Sequence, residues 1–415
     1  MENIKEKGRI IPIRHEVDVL VVGGGVAGIA AAISAARMGV KTLLIERYGF
    51  LGGMATAGLV ITVPPMEKGL QKEIANKLEE LKAYVPLKDL ARKTPEDLSH
   101  VFDPEVFKVI AIKMLKEAGA KILLHSLATN TVMKKDVIRA VIIENKEGRQ
   151  AIVAKIVIDA TGDADIAYFS KAPYIKETVF PLTLMFNIVN VNVKKFISTY
   201  GSFEKLRELI QAAIDNGELH LSLQVKPMLG APGIFAQTTV YEDELNIWGG
   251  NLVGVDGTKI EDLTLAEIVT REQAITLVNF LKKRIAGFEN SRIVCTATQV
   301  GIRETRRIDG EYTLTLNDLR ANTFKDVIAK PFAESEIAIP YRCILPKKVK
   351  NLLVVGRCIS ATSDALVKLR LIPACIATGQ AGGVAAALSV KQSILPKNLN
   401  IKDLQNILKH QGLID

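Results

Sequence analysis

Near the start of the chain, hydrophobic and small residues follow each other in a fixed order. Val17-Asp-Val-Leu-Val-Val is a short apolar run that predicts a buried parallel strand. Gly23-Gly-Gly-Val-Ala-Gly28 is a turn, the alanine-rich stretch to Ala36 predicts a helix, and Leu43-Leu-Ile predicts a second strand ending at Glu46. Each piece has a physical role in binding a dinucleotide. Gly23 permits a tight turn, Gly25 lets the backbone approach a pyrophosphate, and Gly28 lets helix and strand pack closely. The helix N-terminus offers free N–H groups to phosphates, and a carboxylate at Glu46 suits ribose hydroxyls. A glycine-rich turn in an ordinary α/β domain is the plainer reading of the glycines alone.

Further along, Asp103-Pro-Glu-Val-Phe predicts a helix start with an acid at the N-cap and proline at the first position. Apolar residues at Phe107, Ile110, Ala111, Met114 and Leu115 give it one buried face, and Gly119 ends it. Lys121-Ile-Leu-Leu then reads as the third parallel strand. Alternating patterns predict three short strands near 128–134, 137–144 and 149–154, followed by a separate return to the parallel sheet at Ile156–Asp159. From about Lys171 to Glu336 the pattern changes. Helices are predicted at Glu204–Ile214 and Leu265–Ala286, with strands at Phe180–Phe186 and Leu245–Asn251. Asn351-Leu-Leu-Val-Val is the last parallel strand, and Pro373 opens a long buried helix. The expected architecture is α/β: a Rossmann-like ββα three-layer domain with a β-meander (1–170 and 337–415), interrupted by an inserted α+β substrate domain (171–336).

Two uncharged runs, Val19–Ala36 and Leu371–Val390, approach the ~20 residues that cross a bilayer. The first contains the glycine turn and the second contains Pro373, Gln380 and three glycines, so both fit buried βα units better. The first seven residues carry acids and no apolar core, unlike a secretory signal. The cytoplasm is the expected compartment, with no membrane association. At 415 residues the chain exceeds one ordinary core, so two domains are expected. A net charge of +9 invites a nucleic-acid reading, yet the basic residues are dispersed among acids with no long basic run. Abundant Lys, Glu and Ile with one Trp suit a thermophile.

The segment behind Glu46 distinguishes FAD from NAD. Arg47-Tyr-Gly-Phe-Leu-Gly-Gly-Met-Ala-Thr-Ala-Gly58 is a second glycine-rich loop where a plain NAD domain has a helix. Gly52, Gly53, Ala55 and Thr56 would let the backbone lie against a longer, flavin-bearing cofactor. A surface loop is the competing reading.

These blocks resemble a family of FAD-dependent oxidoreductases of glutathione-reductase-like fold, related to heterodisulfide reductase flavoprotein subunits. The resemblance rests on Glu46–Thr56, Val157-Ile-Asp-Ala-Thr-Gly-Asp-Ala-Asp, Gly301-Ile-Arg-Glu-Thr-Arg-Arg, Pro340-Tyr-Arg-Cys, Val355-Gly-Arg-Cys-Ile-Ser-Ala-Thr and Gly379-Gln-Ala-Gly, in that order over about residues 15–390. It implies cofactor contacts at Ala27, Arg47, Met54, Ala128, Ala160, Thr161, Gly162, Asp163, Gly356, Arg357, Gly379, Gln380 and Ala381. It also implies that the N-terminal part of the last long helix points at the flavin pyrimidine. Asp163 reads otherwise as a helix N-cap. Relatives often carry His where this chain has Ser363, which leaves the proton donor open.

Cys295, Cys343, Cys358 and Cys375 are too far apart for a redox dithiol, a zinc site or the iron–sulfur motifs of heterodisulfide reductases. Packing is the plainer role for each; Cys343 and Cys358 fall in blocks expected near the flavin. No histidine sits in a recognised block, and no metal-ligand spacing occurs. Arg303 and Arg306, in the densest charge cluster, are candidates to anchor an anionic substrate. Strand alternation would put Arg303 and Thr305 on one face, Glu304 and Arg306 on the other, with a solvated edge strand as the competing reading. Arg342 is a second candidate, Cys343 a further catalytic one, and Trp248 either stacks on substrate or fills the core. The function implied is hydride or electron transfer between a small anionic substrate and FAD. The alternatives are an electron-transfer subunit working with a redox partner protein, and flavin-dependent RNA modification. A homo-oligomer is compatible with all three.

Overall fold

The computed structural model describes residues 8, 10–87, 94, 95, 97–228, 230–321 and 323–415. The first seven residues, read above as unlike a secretory signal, lie outside them. Four parallel strands form the centre of a seven-stranded sheet, in the order Lys121–Leu123, Thr42–Ile45, Ile13–Val22, Gly148–Asp159. The alternation of side chains sorts these apolar strands onto two cores. Val19, Val21, Leu44 and Ile158 face the helix layer, whereas Leu20, Val22, Leu43 and Ile45 face the opposite layer with Ile138, Val141 and Ile143.

The meander differs from expectation in one respect. Its third strand and the return to the parallel sheet are a single strand, Gly148–Asp159. Nothing in Val153-Ala-Lys-Ile156 can turn the chain, so it continues straight. The sheet therefore forks. Val137–Asn145 pairs antiparallel with the first half of this strand, and Leu352–Val354 pairs parallel with the second.

Helix Val26–Arg37 and helix Ile372–Gln392 pack together against this sheet unusually tightly. A Cβ at Gly28 would lie 1.8 Å from the Gly23 carbonyl oxygen; one at Gly379 would lie 2.1 Å from that of Ala27. The second helix is long and apolar enough to cross a membrane by length and composition, and the apolar window that meets this criterion is wholly buried inside the fold. The helix at Pro104–Glu117 buries the five predicted residues, and Asp103 caps it by accepting from the N–H groups of Glu105 at 2.7 Å and Val106 at 3.2 Å.

A second, antiparallel sheet runs Ile234–Thr238, Leu245–Gly249, Met185–Val189, Arg292–Thr296. It has its own core, in which Phe186, Ile188 and Ile247 meet Phe196, Ile210, Leu277 and Leu281 of three helices. The helices occupy Val193–Tyr200, Glu204–Asp215 and Ile260–Arg284, the last beginning five residues earlier than its apolar pattern suggests. The expected strand at Phe180 starts only at Met185, because Pro181 has no N–H to donate to a ladder.

Gly379→Ala should destabilise by about 1–3 kcal/mol or prevent folding, since a methyl has no room beside a backbone carbonyl. Asp103→Ala should lower unfolding free energy by about 0.5–2 kcal/mol, measured by urea titration.

Candidate functional site

A cleft opens at the carboxyl ends of the parallel strands, where such sheets bind ligands. Its floor is the glycine turn. Gly23 (φ +104°) turns the chain beneath the Ala160 carbonyl, and a side chain there would strike that oxygen. At Gly25 a Cβ would meet nothing closer than 3.9 Å, so the cleft comes up to bare backbone. No side chain caps the helix beginning at Val26 and its first turn holds no acid, which leaves its positive end facing the cleft.

Glu46 stands beside the turn. Its carboxylate accepts from Gly24 N at 2.6 Å and Tyr48 N at 2.9 Å, which fixes its orientation while leaving lone pairs for a ligand. The loop behind it folds back on the turn: Gly52 N donates to Gly24 O at 2.8 Å, and Gly53 lies against Gly25. Arg47, Gly53, Met54 and Ala55 line the cleft, with Ala27, Ala128, Ala160, Thr161, Gly162, Asp163, Gly356 and Arg357. Most residues that the resemblance implied are thus brought to one place.

Several are not. Gly28 and Gly379 serve helix packing, and Ala381 is buried in the helix core. Gln380 points away, accepting from Leu70 N and donating to Gln411. Thr56 donates to Leu51 O at 2.7 Å and shapes the loop, beside Gly52 whose φ of +115° needs glycine. Asp163 is no N-cap: Ala164 holds that position, and Asp163 accepts from Thr305 Oγ1 at 2.6 Å and Arg357 at 3.3 Å. The buried Asp159 instead accepts from Thr161 and Ala167, with burial pushing its carboxyl up.

The catalytic candidates separate in the same way. Residues 302–305 form no strand, so alternation does not apply; only Arg306–Ile308 does. The chain leaves its bridge to Thr183 at Gly301, and each buried charged group then turns to its own partner. Arg306 pairs with Asp165, donates to Asp163 O and stacks on Tyr168, so it holds the wall of the cleft rather than facing into it. Arg342 is paired with Asp326 and half exposed, lining a different hollow with Lys397. Cys343 is fully buried in the helix-side core, and burial pushes its thiol well up. Of the four, Arg303 alone reaches a chamber beside the cleft.

That second chamber, about 440 Å³, lies under the antiparallel sheet and is walled by Met185, Trp248, Met228, Val367 and Leu371. Met54, Arg357, Arg370 and Ile372 line both spaces, so cleft and chamber meet there. Trp248 therefore belongs to a cavity wall as well as to a core. Arg370 and Cys375 were not singled out from the sequence. Leu366-Val-Lys-Leu-Arg370 carries no motif, and its place just before the proline-opened helix was the only available signal. Gln299, which accepts from Arg47 at 2.6 Å and from the Tyr48 hydroxyl, escaped for the same reason.

A bare-backbone turn at an uncapped helix end, a held carboxylate behind it and an adjoining chamber are the features of a dinucleotide-binding protein. Residues 18–331 and 330–408 match the family described as FAD dependent oxidoreductase, and the chain belongs to it; FAD is its cofactor. Thiamine thiazole synthase of Methanococcus vannielii is 34% identical over 168 residues, 36% of this chain and 58% of that protein. Digeranylgeranylglycerophospholipid reductase of Thermoplasma acidophilum is 25% identical over 193 residues, 42% of this chain and 48% of that protein. The chain spans about half the length of these curated relatives. A geranylgeranyl bacteriochlorophyll reductase-like protein from Thermoplasma acidophilum superposes with TM-score 0.51 at 15% identity, over 96% of this chain and 84% of that one. A myxobacterial chondrochloren halogenase gives 0.51 at 12%, over 96% and 79%. At such identities the solved structures share the fold.

Asp165 lines the cleft, pushed up to about 6 by burial and by Asp163 and Asp159, against the pull of Arg306. A carboxyl raised in the folded state favours the fold below its unfolded value, and that contribution is lost as pH rises through about 6. Asp165→Asn should therefore gain thermal stability relative to the native chain between about pH 4 and about pH 7, read from melting temperatures across that range.

Proposed function

We propose that this protein oxidises or reduces a small anionic organic substrate in the chamber, exchanging a hydride with FAD seated in the cleft. The observation that carries the reading is the continuity of the two spaces through Met54, Arg357, Arg370 and Ile372. The residues fit the cofactor on physical grounds. A dinucleotide needs close backbone approach at its diphosphate, which Gly25 provides, and a carboxylate for ribose, which Glu46 provides. Buried Arg357 Nη1 and Arg370 Nε have no acceptor within the described residues, so both hold N–H groups ready for a ligand.

Bound FAD supplies the hydride or electron exchange. The protein's part is placement and charge. Helix Val26–Arg37 and Gly162 receive the diphosphate side, and Ala128 and Glu46 the nucleoside side. Arg357 and Arg370, with the start of helix Ile372–Gln392, place positive charge where reduction adds electrons, which raises electron affinity. The apolar walls of Met185, Trp248 and Leu371 would reduce the water in contact with a bound substrate. Ser363 donates to Glu304 at 2.7 Å and to Glu177, held in a charge cluster with Arg307. The other half-reaction takes a diffusing acceptor or a partner protein. Kinship with heterodisulfide reductase flavoproteins is supported by the sequence blocks alone, and the presence of a sizeable chamber beside the cleft favours a small molecule over a purely electron-relaying role.

Purified protein should be yellow and release FAD on denaturation, identified by chromatography and mass. Glu46→Gln should lower FAD affinity about tenfold, measured by dialysis and reloading. Anaerobic addition of small organic acids should bleach the flavin band with at least one of them. Protein that stays colourless after incubation with excess FAD would sink this reading.

A further inference from the structure

The chamber contains a charge arrangement that cofactor binding accounts for only in part, since Arg370 borders the cleft and Arg303 does not. Arg303 is buried and donates from Nη1 only to uncharged acceptors, Pro181 O and Thr183 Oγ1, each at 2.8 Å. Arg370 donates from Nη2 to Gly230 O at 2.6 Å and lies over the Phe180 ring at 5.1 Å. Neither makes an ion pair among the described residues, whereas the neighbouring Arg306 and Arg307 both do. Arg370 Nε is also buried without an acceptor. Burial and the neighbouring Arg370 push Arg303 down to about 9, yet a guanidinium keeps its proton in proteins. Two like charges withdrawn from water beside each other leave the site incomplete without an anion. Arg303 lines the chamber and not the cofactor cleft, so FAD does not supply that anion to it.

Around these two groups the walls are mostly apolar: Val60, Met185, Pro227, Met228 and Val367. Asp97 and Lys368 add one charge of each sign to the lining. Trp248 presents a buried indole N–H with no acceptor among the described residues. A volume of about 440 Å³ suits a small-metabolite ligand.

We propose that the chamber recognises an amphipathic carboxylate, its head held between Arg303 and Arg370 and its apolar body lying along Met185, Met228 and Val367. The planar forks of two guanidiniums match a carboxylate's paired oxygens, and the apolar wall rejects a second charge at the far end. This deepens the proposed function and rests on its assignment of the chamber to substrate.

Trp248 is the only tryptophan in the chain and lines the chamber, so its emission reports occupancy independently of turnover. The holoenzyme is titrated with decanoate, decanol, succinate and decyl phosphate, following Trp248 emission and the flavin spectrum together. Decanoate should saturate both signals at least about tenfold more tightly than decanol or succinate. Arg370→Met should weaken decanoate about thirtyfold while changing decanol less than about threefold. Met228→Phe, at a partly exposed rim position where folding is little at risk and no second tryptophan is introduced, should weaken decanoate but spare butyrate. Decanol binding as tightly as decanoate, succinate matching it, or no response to any probe would overturn the proposal. Tighter binding of decyl phosphate would overturn the choice of carboxylate. Because Trp248 needs no flavin, saturation by decanoate in a colourless preparation would uphold the chamber while sinking the cofactor reading.

Discussion

The site depends on the absence of side chains where two helices and a strand turn converge. Helix Val26–Arg37 can sit at the end of strand Ile13–Val22 only because Gly28 has no Cβ to meet the Gly23 carbonyl. Helix Ile372–Gln392 can lie on the first helix only because Gly379 and Gly383 leave room for the carbonyls of Ala27 and Ala31, 2.1 Å and 2.2 Å from where a Cβ would stand. Interiors packed to crystal density transmit such contacts rigidly. The start of the first helix, the loop Gly52–Ala55 and the start of the last helix are therefore placed relative to one another by backbone contact. They do not rely on flexible side chains to hold the cleft open.

Charge is divided with comparable economy. Around the cleft, acids and bases are matched: Asp165 with Arg306, Glu304 and Glu177 with Arg307. Matched buried groups rigidify a wall without contributing net field at the ligand. Arg303 and Arg370 are the departure, buried in the same region with no ion pair among the described residues, Glu304 acting on Arg370 only through its field. The contrast gives their lack of partners its meaning, since the fold has counter-charges available a few residues away and does not use them there.

What was legible in the sequence was local. The glycine turn with Glu46, the Asp103 cap and the five-residue face of its helix each rest on short-range rules, and the structure contains them. The fork at Gly148–Asp159 was not legible, because a continuous strand and two abutting strands have the same alternation unless a turn residue separates them. The orientation of the arginine cluster was not legible for a related reason. Periodicity assigns faces only within a regular element, and Gly301–Thr305 is irregular, so whether Arg303 or Arg306 enters a cavity was decided by long-range partners such as Pro181 and Asp165. Gln380 illustrates the limit of resemblance. A matched block does not fix the direction of a side chain, and its amide is committed to Leu70 and Gln411.

The junction residues carry the last step. In the proposed reaction, oxidation of a bound anion would move electrons and negative charge from the chamber toward the cleft. A cation confined to one space would favour one side of that exchange and oppose the other. Arg357 and Arg370 line both spaces, so their charge would stay close to the transferred electrons before and after the event. Preorganised charge of this kind needs no rearrangement at the moment of reaction. Arg370 is well held for such a role, braced by Gly230 O on one nitrogen and by the Phe180 ring on its face. Its position one residue before the N-cap of the long buried helix ties it to the same glycine-packed frame that sets the cofactor cleft. The geometry of the two spaces is therefore coupled through backbone, and displacement of that helix would disturb cofactor and substrate binding together.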